Sequence, residues 1–350
     1  MRELEKLLFV ASSSEPGLFT YRGQLRGPVL ILVYVDDILV AGKSLNTVQQ
    51  IKQMLSTAFE IRDLGEASFY LGITVIRDRP NRTITLVQTK LLDKLRAQYG
   101  IESGRSKSTP IALGVQLSQD IGDPLDVQTY TYSNLVGSLL YLSVCTRPDI
   151  AFAVGVLSKF MSKPTTVHWH TAKGVMQYLL STADKSLVLG GSPADMILHG
   201  YCDADFAGDL DTRKSTVGYV FMLGYSALSW CSKRQATVAV STMEAEYMSA
   251  AHATREALWL KLLLSELTQI KVPVVHVAID NQGALQLIRN PVISQRAKHI
   301  DVIYHFTREH VQKGNVCFHY VSTQDMVADV FTKSLSKVKH EICCAALGLQ

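Results

Sequence analysis

The spacing of apolar residues near the start of the chain predicts a hairpin of two strands. Residues 28–35 and 38–41 are short runs rich in Val, Ile and Leu, and such runs are typical of strands. Residues 46–59 then place apolar side chains three and four positions apart, which predicts a helix. Two further strands are expected at 68–76 and 83–88.

The middle of the chain has a helical pattern. Apolar side chains at helical spacing predict one helix around 91–99 and three more at 134–144, 150–161 and 167–180. The stretch 104–126 is polar and predicts a loop between the first of these helices and the others.

In the last part of the chain, strand-like runs come first and helices follow. Three successive strands at 197–203, 216–223 and 226–231 precede a long helix at 242–267. Successive strands favour an antiparallel meander, whereas strands separated by helices add in parallel. The expected fold class is therefore mixed, α+β with α/β character, and it contains a mixed five-stranded sheet with flanking helices. The elements that complete this sheet are strands at 274–280 and 315–321 and helices at 283–289, 300–312 and 325–334.

These patterns divide the chain into five segments. Small and turn-forming residues follow the helical part, and such a run is typical of a linker. The predicted segments are a strand-rich part at 1–88, a helical part at 89–183, a linker at 184–196, a mixed domain at 197–335 and a tail at 336–350.

The composition excludes several classes of protein. The 350 residues are 47% hydrophobic and carry a net charge of +4, which excludes a wholly disordered chain. Six cysteines without paired spacing exclude a disulfide scaffold and indicate a reduced, intracellular protein, cytoplasmic or nuclear. The charged N-terminus does not resemble a secretion signal, and no clean apolar run reaches about 20 residues. We therefore expect no membrane partner.

Two adjacent acids, Asp36 and Asp37, lie between the strands of the predicted hairpin. Neighbouring carboxylates in apolar surroundings repel each other, so one interpretation is a Mg²⁺ site. The other is a polar hairpin turn, because Asp is a common turn residue. The residues alone leave both interpretations open.

Four separated acids follow in the last part of the chain. Asp203 and Asp280 end predicted strands, Glu244 begins the long helix, and Asp329 lies in the last one. Strand ends and helix starts at one sheet edge can converge, and four acids there would require cations between them. Each acid also has an ordinary interpretation: Glu244 can complete a capping box with Ser241, and the others can cap helices or face solvent.

Several runs in the sequence resemble the Pol polyproteins of copia-type retrotransposons. The run 34–37 resembles the palm hairpin of reverse transcriptases, and the later runs resemble the ribonuclease H domain of the same elements. The resemblance covers roughly residues 7–335. The runs that carry it include 34–37, 59–65, 69–73, 132–142, 146–150, 202–209, 232–235, 244–247, 298–301 and 328–333.

The resemblance implies a truncated reverse-transcriptase palm at 1–88, a thumb-like connection at 89–183 and a ribonuclease H domain at 197–335. Polymerases of the family use a further aspartate from an earlier palm strand, and residues 1–35 contain none. We therefore expect the C-terminal part of a polyprotein, with Asp36 and Asp37 as an incomplete polymerase site.

For the second half, the resemblance implies metal-dependent hydrolysis of RNA in RNA/DNA hybrids. The acids carried over by motif are Asp203, Glu244, Asp280 and Asp329, which would hold two Mg²⁺ ions about 4 Å apart, with Mn²⁺ as a substitute. Near neighbours that compete for these roles are Asp205, Glu246 and Asp325.

Four basic residues are expected to contact the backbone of the hybrid: Arg213, Lys214, Lys233 and Arg234. Such contacts weaken with salt, and recognition by shape and 2′-hydroxyls gives little sequence preference. Ordinary solvated surface is the alternative for these side chains. Two other readings of the whole chain stay open, namely a silent relic that only binds nucleic acid, and a subunit whose exposed palm edge pairs with a partner or with itself.

Overall fold

The computed structural model describes residues 2–24, 27–101, 106–191, 196–289 and 298–350, without the side chains of Arg2 and 298–304. The chain forms two compact units. Unit 1 contains Met1–Ala67 and Glu256–Val274, and unit 2 contains Ser68–Arg255 and Val275–Gln350. The boundaries predicted at 88 and 183 therefore fall inside unit 2.

Unit 1 is built on a four-stranded antiparallel sheet in the order β1-β2-β3-β4. Strands β3 and β4 are the predicted hairpin, and helix α2 is the predicted helix after it. Ile31, Ile51 and Leu55 form the buried centre between this sheet and α2. The bounds are α1 Arg2–Lys6, β1 Phe9–Ala11, β2 Leu18–Tyr21, β3 Val29–Tyr34, β4 Asp37–Gly42 and α2 Leu45–Ala58.

The first part of unit 2 combines a second antiparallel sheet with four helices. The sheet has the order β5-β6-β7-β8. The helices enclose an apolar core that includes Leu135, Leu139 and Val175, all fully buried. The bounds are β5 Phe69–Tyr70, β6 Ile73–Asp78, β7 Thr83–Val87, α3 Thr89–Tyr99, α4 Tyr132–Cys145, α5 Ala151–Ser158, α6 Thr166–Ser181 and β8 Leu187–Gly190.

The remainder of unit 2 is the predicted mixed sheet. Its order is β11-β10-β9-β12-β13; β10 is antiparallel to both neighbours, while β12 is parallel to β9 and β13. This confirms the expected fold class, in which an antiparallel meander is extended by parallel strands. The bounds are β9 Leu198–Ala204, β10 Thr216–Leu223, β11 Ser226–Arg234, α7 Thr242–Thr268, β12 Val275–Ile279, α8 Gln282–Arg289, α9 Lys298–Gln312, β13 Val316–Tyr320 and α10 Lys337–Ala346.

Two predicted segments differ in the structure. The predicted linker contains β8, which pairs with β7, and the predicted tail contains α10, whose Cys343 and Cys344 are buried. The two segments also meet, because Leu187 forms a bridge with Leu349. The predicted helix at 325–334 is instead two short 3-10 turns, Thr323–Asp325 and Val327–Phe331.

A buried ion pair joins the helices of unit 2. Arg147 donates to Asp149 from Nε at 3.0 Å and from Nη2 at 2.7 Å, and Tyr178 Oη donates to the same carboxylate at 2.6 Å. His340 from α10 packs edge-on against the Tyr178 ring. The motif at 146–150 therefore has a packing role that connects α4, α6 and α10.

The helices of the described residues include none that combines the length and the apolar character needed to cross a membrane.

Candidate metal centre and nucleic-acid interface

Three aspartates converge at one edge of the mixed sheet. Strands β9 and β12 are parallel, with Tyr201 opposite Ala278, so Asp203 and Asp280 each follow two residues later at the same edge. Asp329 comes from the second 3-10 turn. One carboxylate oxygen of each aspartate lies within 4.8 Å of the others. In the described part of the chain, no other set of three acidic, histidine or cysteine side chains is as close together.

Gly218 makes room for the turn that carries Asp329. It lies opposite Asp203 in the register of β9 and β10. A Cβ atom there would lie 2.5 Å from Thr332 Cγ2 and 2.9 Å from Phe331 Cβ. The missing side chain thus allows the turn to pack directly on the sheet, which places Asp329 next to Asp203.

Hydrogen bonds and ion pairs hold the three carboxylates in place. The Thr332 hydroxyl donates to Asp203, and Thr323 Oγ1 donates to Asp280 at 2.8 Å. Lys333 Nζ lies 2.7 Å from Asp329 Oδ1 and 3.5 Å from Asp203 Oδ2. Burial and the neighbouring charge of Asp203 raise the pKa of Asp329 to about 6.

The two glutamates at the start of α7 have different surroundings. Glu244 N donates to Ser241 Oγ at 3.2 Å, and Glu244 Oε2 accepts from Val240 N at 2.9 Å. This is the ordinary capping interpretation of Glu244, since its carboxylate satisfies a backbone amide before the helix. Residues two apart on a helix do not face the same side, so a capping Glu244 leaves Glu246 to face elsewhere.

Glu246 faces the aspartates. The amide of Ala204, next to Asp203, donates a hydrogen bond to the Glu246 carboxylate. Burial, and then the charges of Asp203 and Asp280, raise the pKa of Glu246 to about 10. Its Oε2 is buried and has no hydrogen-bond partner among the residues that the structure describes. The sequence does contain a signal for Glu246. A capping box with Ser241 commits the Glu244 side chain to the helix end, which leaves Glu246 as the available acid.

This set of donors fits a divalent cation. All the ligand atoms are carboxylate oxygens, which hard cations such as Mg²⁺ and Mn²⁺ prefer. Burial and nearby negative charge raise the pKa values of Glu246 and Asp329, and one buried oxygen of Glu246 has no hydrogen-bond partner among the described residues. We call Asp203, Glu246, Asp280 and Asp329 the acid cluster.

The competing acids lie in other local structures. Asp205 accepts from the Thr216 amide in the loop after β9, and Asp325 accepts from Ser322 Oγ at 2.6 Å in the first 3-10 turn. Burial raises the pKa of Asp205 to about 6. Neither aspartate belongs to the group of three whose oxygens converge.

Asp36 and Asp37 lie at the exposed tip of the hairpin in unit 1. Tyr34 pairs with Asp37, so Val35 and Asp36 form the two-residue tip, with Val35 at a φ of +53°. Positive φ is unfavourable for a β-branched residue and marks a tight hairpin turn. Both carboxylates are exposed to solvent, in agreement with the polar-turn interpretation of this hairpin. No third acid joins them among the described residues.

The four predicted phosphate ligands surround one end of the β10–β11 hairpin. Arg213 and Lys214 precede β10, while Lys233 and Arg234 end β11, with Arg234 opposite Thr216. Arg213, Lys233 and Arg234 are exposed and Lys214 is half-buried. This end of the hairpin lies at the same sheet edge as Asp203.

An acidic side chain already forms an ion pair with one of these basic residues. Asp209 Oδ2 lies 3.3 Å from Arg234 Nη1 and 2.7 Å from Lys159 Nζ of the helical part. Although burial opposes its charge, hydrogen bonds from Lys159 and Thr212 hold the pKa of Asp209 well below its usual range. Arg213, Lys214 and Lys233 are therefore the better candidates for phosphate contact.

The chain is similar to known retrotransposon proteins. The family described as reverse transcriptase (RNA-dependent DNA polymerase) matches residues 1–113. The retrovirus-related Pol polyprotein from transposon TNT 1-94 of Nicotiana tabacum is 38% identical over 346 residues, which cover 97% of this chain and 26% of that polyprotein. The transposon Ty5-1 protein of Saccharomyces cerevisiae is 33% identical over 254 residues, which cover 72% of this chain and 81% of that protein.

Among solved structures, LC11-RNase H1, isolated from compost by a metagenomic approach, matches with a TM-score of 0.30 and 17% identity. That match covers 39% of this chain and 93% of the compost protein. The chain spans about a quarter of the length of the TNT 1-94 polyprotein. The identities of 38% and 33%, the second over 81% of the relative's length, show that the chain belongs to the family of copia-type retrotransposon Pol polyproteins.

Proposed function

We propose that the chain is a metal-dependent ribonuclease that hydrolyses the RNA strand of RNA/DNA hybrids. The observation that carries this proposal is the acid cluster, in which one oxygen from each of three aspartates lies within 4.8 Å of the others. Glu246 is coupled to them, because burial and the charges of Asp203 and Asp280 raise its pKa, and its buried Oε2 has no hydrogen-bond partner among the described residues. Carboxylates this close repel one another, so the arrangement favours a cation over a purely structural role.

Asp203, Glu246, Asp280 and Asp329 are the proposed metal ligands. This assignment replaces Glu244 with Glu246, because the Glu244 carboxylate is committed to a backbone amide. When bound, Mg²⁺ or Mn²⁺ would lower the pKa of a coordinated water and offset the charge of the leaving 3′ oxygen.

Neighbouring groups of the chain prepare these ligands. Thr332 and Thr323 fix the orientation of the Asp203 and Asp280 carboxylates by donating hydrogen bonds to them. The Ala204 amide does the same for Glu246. Ligands held in this way need little rearrangement when the substrate arrives.

The proposed substrate is recognised through its backbone. Arg213, Lys214 and Lys233 lie at the sheet edge that carries Asp203, where they would meet phosphates of a bound duplex. Contacts of this kind read shape and charge, so we expect little dependence on base sequence. The 2′-hydroxyl distinguishes the RNA strand from DNA.

We also propose that this chain alone does not synthesise DNA. Asp36 and Asp37 lie at an exposed hairpin tip, and no third acid converges with them in the described residues. A two-metal site for nucleotidyl transfer needs more carboxylate ligands than a single exposed pair. Extension of a labelled primer by the purified chain would contradict this proposal.

The test of the hydrolytic function compares end-labelled RNA/DNA hybrid, single-stranded RNA and double-stranded DNA, each with Mg²⁺ and with EDTA. We expect cleavage of the RNA strand of the hybrid only, in Mg²⁺ only, with 5′-phosphate and 3′-hydroxyl ends. Equal cleavage of all three nucleic acids, or cleavage in EDTA, would contradict the proposal. Binding of the hybrid without cleavage would favour the silent relic.

A further inference from the structure

Lys333 lies against the acid cluster, and the motif that contains it, residues 328–333, assigns it no function. Its Nζ is within ion-pair distance of two aspartates, at 2.7 Å from Asp329 Oδ1 and 3.5 Å from Asp203 Oδ2. Its backbone amide donates to the Asp329 carbonyl at 3.2 Å, which ties the residue to the 3-10 turn. The adjacent Thr332 hydroxyl donates to Asp203. Thr332 and Lys333 thus both contact the Asp203 carboxylate, and Lys333 also contacts Asp329.

A second ammonium group supports the same arrangement. Lys339 Nζ lies 3.5 Å from Asp329 Oδ2 and donates to the carbonyls of Thr323 and Gln324 at 3.0 and 2.5 Å. These carbonyls fix Lys339, whose side chain is 20% exposed. Among the described contacts, the ammonium of Lys333 meets only the two aspartates, and no backbone carbonyl holds it. Its side chain is 40% exposed. Lys333 is therefore the ammonium that can leave the cluster for solvent.

The ammonium of Lys333 and a divalent cation need the same oxygens. A metal ion at the cluster would take Asp203 and Asp329 as ligands, and a positive charge within ion-pair distance of both would repel it. Without a metal ion, however, the same ammonium offsets the repulsion between the aspartates. Lys333 therefore has opposite effects on the metal-free and metal-bound states.

We propose that Lys333 is a positioning residue that acts as a resident counter-cation, stabilising the acid cluster without metal and competing with divalent cations for Asp203 and Asp329. This proposal rests on the proposed function, because it takes the acid cluster to be a metal site. It concerns the affinity for metal, not the chemical step, so its test does not depend on hydrolysis.

The test is a calorimetric titration of the full chain with MnCl₂ at constant ionic strength. Lys333→Met removes the charge and keeps an unbranched side chain, and we expect it to bind Mn²⁺ about tenfold more tightly than wild type. Lys333→Arg keeps the charge and is expected to bind within about threefold of wild type. The matched control is Lys337→Met, because Lys337 pairs only loosely with Glu341 at 3.9 Å and is exposed; its affinity should not change.

A second readout follows the metal-free state. In EDTA, Lys333→Met should unfold at a lower temperature than wild type, and saturating Mn²⁺ should stabilise it more than it stabilises wild type. Lys333→Gln provides the same comparison if Lys333→Met does not fold in EDTA.

The outcomes separate this proposal from the proposed function. Equal or weaker Mn²⁺ binding by folded Lys333→Met and Lys333→Gln would overturn the role of Lys333 while leaving the metal site intact. Equally tight binding by Lys333→Arg and Lys333→Met would also overturn it, because charge would then be irrelevant. Wild-type protein that binds no divalent cation would overturn both.

Discussion

Replacing Glu246 with Gln is expected to abolish hydrolysis without unfolding the chain, whereas the same change at Glu244 is expected to leave hydrolysis nearly intact. The two residues are two positions apart on α7, and only one of them can face the acid cluster. Glu246 accepts from the Ala204 amide beside Asp203, while Glu244 accepts from the amide of Val240.

The structure sets the size of each effect. Two like charges separated by the 4.8 Å that bounds the aspartate oxygens repel by about 3 kcal/mol at an effective dielectric constant of about 20. Burial, together with repulsion of this kind from Asp203 and Asp280, raises the pKa of Glu246 to about 10. The side chain is therefore neutral in the metal-free protein near pH 7, and Glu246→Gln, which is also neutral, should unfold no earlier than wild type. The loss of a metal ligand should lower the cleavage rate at least about 100-fold, equivalent to about 2.7 kcal/mol of transition-state stabilisation.

Glu244→Gln should behave differently on both counts. Gln also completes a capping box, so the free energy of unfolding should change by less than about 0.5 kcal/mol. Glu244→Ala should cost about 1 kcal/mol because it leaves the Val240 amide without that partner. Both Glu244 variants should cleave within about twofold of the wild-type rate, since neither removes a proposed ligand.

The assay is single-turnover cleavage of a labelled hybrid at saturating Mg²⁺, with thermal unfolding in EDTA followed by circular dichroism. A Glu246→Gln protein that cleaves at the wild-type rate would refute the assignment of Glu246. Loss of cleavage in folded Glu244→Gln would refute it as well, and would restore the assignment made from sequence resemblance.

Three further predictions concern stability and binding. Asp149→Asn leaves the buried Arg147 guanidinium without its counter-ion and should lower the free energy of unfolding in urea by about 3–5 kcal/mol. The control is Asp63→Asn at the exposed pair with Lys52, which should cost less than about 1 kcal/mol. Similar losses in the two variants would contradict the buried role of Asp149. Burial holds the pKa of His168 below its ordinary value of 6.5, so its stabilising contribution is complete above that pH and is lost as the pH falls through the lower folded-state pKa. The difference in melting temperature between wild type and His168→Gln should therefore shrink from pH 7.5 towards pH 5, and a constant difference would contradict this. Combining Arg213→Ala with Lys233→Ala should reduce the slope of log binding constant against log salt by about 2 for any hybrid sequence, and an unchanged slope would assign both residues to ordinary solvated surface.

The convergence of Asp203 and Asp280 could be predicted from the sequence. Both residues end strand-like runs, and parallel strands end at the same sheet edge. The choice between Glu244 and Glu246 could not be made from motif resemblance, because both lie in the same four-residue run. The helix geometry decides it, since Ser241 and Val240 occupy the Glu244 side of α7.

The sequence pattern does not reveal the strand β8 and the helix α10, for a related reason. Leu187–Gly190 is too short to show a periodic pattern, and its pairing partners are β7 and Leu349, both distant in sequence. Burial of Cys343 and Cys344 likewise depends on elements that come far earlier in the chain. Local periodicity detects elements whose pattern is long, whereas the contacts that bury these two elements come from distant parts of the chain.

The most direct test of the account is the rate at which the purified chain cleaves the RNA strand of a hybrid with Mg²⁺, measured for wild type and for Asp203→Asn. Asp203 supplies one of the three converging oxygens and is nearly fully buried. We expect strand-specific cleavage by wild type and its loss in a variant that still folds and still binds the hybrid. Undiminished cleavage by folded Asp203→Asn would contradict the claim that the acid cluster is the hydrolytic centre.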